Sequence, residues 1–124
     1  MKNIVTWFEI YVEDMNRAKG FYETVLEKQL DQMPVPQELG MEMWAFPWSD
    51  DAPNAAGALV KSEMGKPGST GTIVYFDSED CSELDRVEDA GGKILLPKTA
   101  VEGFGFFALF ADTEGNTLGF FSKD

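Results

Sequence analysis

The sequence predicts an α+β fold made of two βαβββ modules, one over about 3–63 and one over about 71–124, within a single domain, 1–124. Three observations predict it. Strand-like and helix-like segments follow one another in the same order twice. Each expected helix starts at an aspartate, Asp14 or Asp80, that can cap it. Aligning the closing turns of the two halves sets Asn54 beside Asn116 and Gly57 beside Gly119, and aligning the two caps sets Glu9 beside Tyr75.

The elements read as follows. Residues 5–12, VTWFEIYV, are β-branched and aromatic, as strands prefer. After Asp14, the residues Met15, Ala18, Phe21, Tyr22, Val25 and Leu26 recur at helical spacing, so a helix with one apolar face is expected to end near Glu27. A weak strand over 29–34 stops at Pro34 and Pro36. GMEMWAFPW, 40–48, reads as a strand, SDDAPN as a turn, and AGALVK, 56–61, as a fourth strand. The stretch EMGKPGSTG, Glu63 to Gly71, is a loop or linker.

The second half repeats the order. TIVYFD, 72–77, is a strand. Asp80, with Glu83 three residues on, resembles a capping box for a second helix striped by Cys81, Leu84 and Val87 and stopped by Gly91 and Gly92. KILLP, 93–97, is a strand ended by Pro97. FGFFALFAD, 104–112, and TLGFFS, 117–122, flank the turn TEGN.

Bulk composition excludes several functions. The chain carries 22 acidic against 10 basic residues, for a net charge of -12, and no Lys/Arg cluster. No nucleic-acid partner is therefore expected, because such binding rests on clustered cations. No membrane partner is expected either, since every apolar run is far shorter than the roughly 20 residues that span a bilayer. The N-terminus MKNIVTWFEI reads as a first strand rather than a signal peptide. A single cysteine, Cys81, allows no internal disulfide and suits a reducing, cytoplasmic location. Its surroundings, DSEDCSE, oppose a thiolate and lack the spacing of a calcium loop, so a buried structural role is expected. The glycines of GFG and TEGN match no phosphate-binding motif.

The stretch WFEIYVEDMNRAKGFYETVL, 7–26, and the ending DTEGNTLGFF, 112–121, resemble the two hallmarks of the vicinal oxygen chelate superfamily. That superfamily includes glyoxalase I, bleomycin-resistance proteins and extradiol dioxygenases. The segment LLPKTAVEGFGFFALFADTEGN, 95–116, resembles uncharacterised single-domain members. The resemblance implies that each module curls into half of an open barrel, with helices on the outer face. It also implies four metal-ligand positions on the concave face, carried here by Glu9, Gly57, Tyr75 and Gly119. Of these only Glu9 is a good ligand, and the chain contains no histidine. A first-row metal site usually needs three or four donors. No cofactor is therefore predicted, and a divalent metal is kept as the alternative.

Strand alternation puts Trp7, Glu9 and Tyr11 on one face of the first strand, with Phe8, Ile10 and Val12 turned to the helix. The same logic groups Ile73, Tyr75 and Asp77, and sets Gly119 and Phe121 opposite Leu118 and Phe120. Trp44, Phe46 and Trp48 share a face. The small glycines at two former ligand positions would leave room in the cavity. The expected site is an aromatic cleft of Trp7, Tyr11, Trp44, Phe46, Trp48, Tyr75 and Phe121 around the carboxylate of Glu9. Such a cleft suits an aromatic or cationic small molecule. The competing reading of the aromatics is core or dimer interface.

Three functions are consistent with this pattern. The first is a metal-independent small-molecule-binding protein. The second is a lyase or isomerase with Glu9 as base or lone metal ligand and Tyr75 as its acid partner. The third is an interaction module whose cleft is filled by its own side chains. A homodimer is expected from the resemblance.

Overall fold

The structure, a computed structural model, describes residues 2–68 and 70–124. Its elements are β1 (Val5–Tyr11), α1 (Met15–Leu26), β2 (Asp31–Gln32), β3 (Glu42–Ala45), β4 (Ala56–Lys61), β5 (Thr72–Asp77), β6 (Lys93–Val101), β7 (Gly105–Ala111) and β8 (Thr117–Ser122). Short 3-10 turns occupy Gln37–Leu39 and Ser82–Arg86. The fold is α+β, and the strand order of the first half recurs in the second. Among the described residues, no helix is long and apolar enough to cross a membrane. The expected loop Glu63 to Gly71 links β4 to β5; Ser69 within it lies outside the described residues.

The chain divides into two compact units: Phe8–Thr72, and Met1–Trp7 with Ile73–Asp124. In the N-terminal unit the strands run β2-β3-β4-β1. β3 and β4 pair antiparallel from Glu42↔Lys61 to Ala45↔Ala58. Asp14, in extended conformation, opens α1 by accepting the Arg17 N–H at 3.0 Å, as its residue type predicts. The left-handed Glu27, φ 55, ends the helix. The core on this side is Met15, Leu30 and Leu59, with Ile10, Val12, Ala18, Tyr22, Trp44 and Phe46 packed around it. The expected apolar stripe of α1 is wider than the face it buries, since Phe21 and Val25 are both 59% exposed.

In the C-terminal unit the order is β5-β8-β7-β6, with the start of β1 beside β5. β5 and β8 pair parallel, Tyr75↔Gly119 and Asp77↔Phe121. β7 pairs antiparallel with β8, Phe107↔Phe121 and Leu109↔Gly119. One face carries a core of Leu84, Ala108 and Phe110, joined by Phe76, Leu118 and Phe120. The Phe110 and Phe120 rings stack there at 4.8 Å. Leu118 and Phe120 thus lie opposite Gly119 and Phe121, as the alternation predicts.

The strands expected over 29–34 and 40–48 are shorter, Asp31–Gln32 and Glu42–Ala45, and two further elements differ in kind or extent. The second helix is only the 3-10 turn Ser82–Arg86, led by Cys81 in the left-handed region at φ 63 rather than by Asp80. Ser78 takes the capping role: its Oγ accepts the Cys81 N–H at 2.8 Å and donates to Glu83 at 2.5 Å. Asp80 accepts from Ser82 instead, which holds its carboxyl below the usual carboxylate range. Asp85 and Asp89 stand four residues apart in a short segment, and like charges at that spacing oppose a helix that is already near its length limit. The other departure is β6, which does not end at Pro97 but runs on to Val101. It tolerates the proline because it is an edge strand whose ladder shifts between Leu96 and Thr99.

Candidate functional site

β1 sorts its side chains as its alternation requires. Ile10 and Val12 pack on the α1 core, and the Phe8 ring lies 5.8 Å from Phe46, which in turn meets Tyr22 of α1 edge-on at 5.7 Å. Trp7, Glu9 and Tyr11 occupy the other face of the strand. Glu9 is buried, 7% exposed, and so is Tyr11. Among the described residues, no buried side-chain nitrogen or oxygen lacks a hydrogen-bond partner. A buried carboxylate is thus tolerated here because its surroundings answer it.

Burial pushes the Tyr11 phenol well above its ordinary range, and the Glu9 charge adds to that. A phenol bound more tightly to its proton in the folded chain stabilises that chain at every pH below the unfolded value of about 10. The contribution is lost as pH rises beyond it. Stability measured by urea unfolding is therefore expected to fall above the ordinary phenol range, and Tyr11→Phe should flatten that fall. An unchanged slope in the variant would assign the effect to another group.

In the C-terminal unit, Tyr75 is 1% exposed and stands across from Gly119. Its ring lies 6.4 Å from Phe107, the ladder partner of Phe121. Tyr75, Phe107 and Phe121 therefore share the face turned away from the Leu84 core.

The two glycines do not leave room, contrary to expectation. A side-chain carbon at Gly119 would collide with the Tyr75 ring and stand 3.0 Å from the Ala108 carbonyl oxygen. One at Gly57 would stand 2.5 Å from the Phe8 ring. The space that a glycine vacates is filled by the aromatic ring of the neighbouring strand. Gly57 also lies on the Phe8 and Leu59 side of β4, facing α1 rather than sharing the face of Glu9. The register inferred from the closing turns is therefore out of step by one residue at that strand, which turns a side chain over.

The aromatics of β3 are placed differently too. Trp44 and Phe46 share a face, as expected, but it is the face packed on α1. The Lys19 ammonium sits 3.3 Å from the centre of the Trp44 ring, and the indole N–H donates to Glu42 at 2.9 Å. Trp48 lies beyond the end of β3 and is half-exposed. Of the residues expected in the cleft, Glu9 and Tyr11 stand on one face of β1 in the N-terminal unit, and Tyr75 and Phe121 share a face within the C-terminal unit. Cys81 is buried with Sγ 3.3 Å from Ser122 Oγ, as expected of a structural cysteine.

The side chains present do not fit the metal site that the resemblance implies. Gly57 faces the wrong side, the ring of Tyr75 fills the space at Gly119, and among the described residues no three His, Cys, Asp or Glu side chains are grouped to hold one ion. Two open clefts of the N-terminal unit escaped the sequence reading. One, of ≈ 840 Å³, is lined by Met33, Met41, Met43, Gly65, Lys66 and Pro67 among others. The other, of ≈ 560 Å³, is lined by Glu13, Phe21, Tyr22, Pro67, Gly68 and Gly71 among others. The glycine- and proline-rich composition of 65–71 was the only signal for the segment that walls both.

Comparison with known proteins agrees with this architecture. The chain is 24% identical over 113 residues to the protein named "Putative glyoxylase CFP32" in Mycobacterium bovis, covering 91% of this chain and 43% of that one. The chain thus spans less than half the length of the curated relatives it matches. Among solved structures, methylmalonyl-CoA epimerase from Mycobacterium tuberculosis superposes with a TM-score of 0.70 at 12% identity, covering 98% of this chain and 88% of the other. The Streptomyces coelicolor epimerase, in complex with 2-nitronate-propionyl-CoA, gives 0.69 at 14% identity, covering 98% of both chains. A hypothetical protein from Bacillus halodurans gives 0.72 at 13%, covering 100% and 96%. These likenesses concern the fold. The model of the Glyoxalase/Bleomycin resistance protein/Dioxygenase superfamily matches residues 4–120, and the chain belongs to that superfamily.

Proposed function

We propose that this chain is a metal-independent binding protein of the glyoxalase/bleomycin-resistance fold, taking an aromatic or cationic small molecule against the face of β1 that carries Glu9 and Tyr11. The observation that carries the reading is the filling of the position at Gly119. A strand that had merely exchanged a histidine or glutamate for glycine would show a void, whereas here the Tyr75 ring occupies the ground. What remains is one buried carboxylate beside a phenol kept neutral, and that pair favours a ligand bearing positive charge or a hydrogen-bond donor. Tyr75 and Phe121 offer the C-terminal unit an aromatic face of similar character.

A second reading rests on the same pair. Glu9 as a base and Tyr11 as a neutral proton donor could serve an isomerase or lyase, with Tyr11 in the acid role first assigned to Tyr75. One experiment separates these readings. Purified protein is dialysed against manganese, iron, nickel and zinc and analysed for metal, then screened by thermal shift with organic cations and neutral aromatics. Substoichiometric metal and a cation-induced rise in Tm are expected. Glu9→Gln should weaken that cation roughly ten- to a hundredfold, the worth of a charge-assisted hydrogen bond. One tightly held metal per chain would sink the binding-protein reading. Retained binding with lost turnover in the variant would favour the enzyme.

The homodimer and the cytoplasmic location belong to the same proposal. The exposed Phe21 and Val25 on α1 support the first, and the one buried cysteine supports the second. A monomeric mass in sedimentation equilibrium would remove the dimer.

A further inference from the structure

Thioether sulfur is gathered in one place in the N-terminal unit. Of the six methionines in the chain, Met33, Met41 and Met43 line the cleft of ≈ 840 Å³. Strand pairing brings them together. β2 and β3 pair with Asp31 opposite Ala45 and Gln32 opposite Trp44. The Met33 N–H donates to the Met43 carbonyl at 2.9 Å, which carries the ladder one residue further. Met33 therefore stands across from Met43, and side chains so placed share a face with their Cβ atoms about 5 Å apart. Trp44, the next residue, takes the opposite face and packs on the α1 core. Met41, two residues before Met43, borders the same cleft. Met33 and Met43 are buried, and Met41 is half-buried.

Three such side chains can meet at one point. Methionine is unbranched and turns about three bonds, so its sulfur adapts to a position that the backbone sets only coarsely. A thioether is a soft, uncharged donor, and donors of that kind select copper(I) over the hard cations that carboxylates take. The charges around the cleft favour a single monovalent cation. Glu13, Glu42 and Glu63 stand against Lys61 and Lys66, which leaves one net negative charge.

We propose that Met33, Met41 and Met43 form a thioether site for a soft monovalent cation, copper(I), for which silver(I) is the redox-inert probe. The cross-strand pair Met33 and Met43 supplies two donors and Met41 the third. None of the three is among the residues proposed for the organic ligand at Glu9 and Tyr11. Copper is not among the ions offered in the test of that reading, so either conclusion can fail without the other.

Silver(I) titration of the full chain in chloride-free nitrate buffer, followed through the methionine methyl signals by NMR, tests the site. The methyls of Met33, Met41 and Met43 are expected to shift together and to saturate at one ion per chain, while Met15 and Met64 stay in place. Copper(I) added without oxygen should give the same pattern. Met43→Leu keeps the apolar wall and removes one sulfur. It should weaken silver at least roughly tenfold, since even indirect partners of a metal are worth that much. The response should persist in Cys81→Ser, which removes the chain's one thiol. Shifts led by the exposed Met64, a response to silver but not to copper(I), or unchanged affinity in Met43→Leu would each overturn the site. Loss of the methyl shifts in Cys81→Ser would overturn it as well. Should a variant fail to fold, the methyl pattern of the unaltered chain decides.

Discussion

Gly119→Ala is expected to destabilise the chain by about 3 kcal/mol, well beyond the usual effect of adding one methyl group. The new carbon would collide with the Tyr75 ring and press on the Ala108 carbonyl oxygen of β7. Neither neighbour can give way easily. Tyr75 is 1% exposed, and Ala108 is held in the ladder opposite Phe120. Equilibrium urea unfolding followed by circular dichroism would measure the loss. Pairing the change with Tyr75→Ala should give less than the sum of the two single effects, since the second substitution removes the obstacle that the first one meets. Full additivity would mean the ring is not the cause. The same collision bears on function. Replacing Gly119 with a histidine, the change that would restore a metal donor at a family position, meets the same ring and is expected to unfold the unit rather than to create a site.

The second large effect concerns the helix. Leu59 is fully buried and forms the α1 core with Met15 and Leu30. Leu59→Ala is expected to remove about 3 kcal/mol, the sum of lost transfer free energy and a residual cavity. The loss should be felt at α1, whose own sequence adds little: Gly20 sits mid-helix, and Phe21 and Val25 point into solvent. Amide exchange in α1 should accelerate in the variant more than exchange in β7 and β8. A loss below 1 kcal/mol would mean that the helix is held elsewhere, for example by Lys19 over Trp44.

Most of the fold was legible because it is written in short-range terms. Asp14 could be read as a cap from its residue type and position, and β4, β5 and β8 kept the bounds their composition suggested. Face assignment in β1, β5 and β8 followed from a period of two. The second helix was misread for a reason of the same kind. Asp80 and Glu83 match the pattern of a capping box, but the Glu83 carboxylate accepts from Ser78, whose Oγ in turn accepts the Cys81 N–H, and Cys81 turns left-handed. The candidate site was less legible. Which way Gly57 faces depends on a one-residue register that no side chain at that position reports. That a glycine is crowded rather than vacant depends on a ring one strand away. Trp44 and Phe46 have the composition of a ligand cleft and of a helix interface alike.

The interrupted ladder of β6 has a consequence for the life of the protein in a crowded solution. An exposed sheet edge invites a strand from another molecule to add to it, and repeated addition leads to fibres. β6 closes that route. Pro97 removes one donor from the edge, two shifts in register bend the strand out of line with any straight partner, and Lys93 and Lys98 set charge along it. The irregularity that contradicts the simplest reading of KILLP as a strand ending at its proline thus serves as protection against self-templated aggregation.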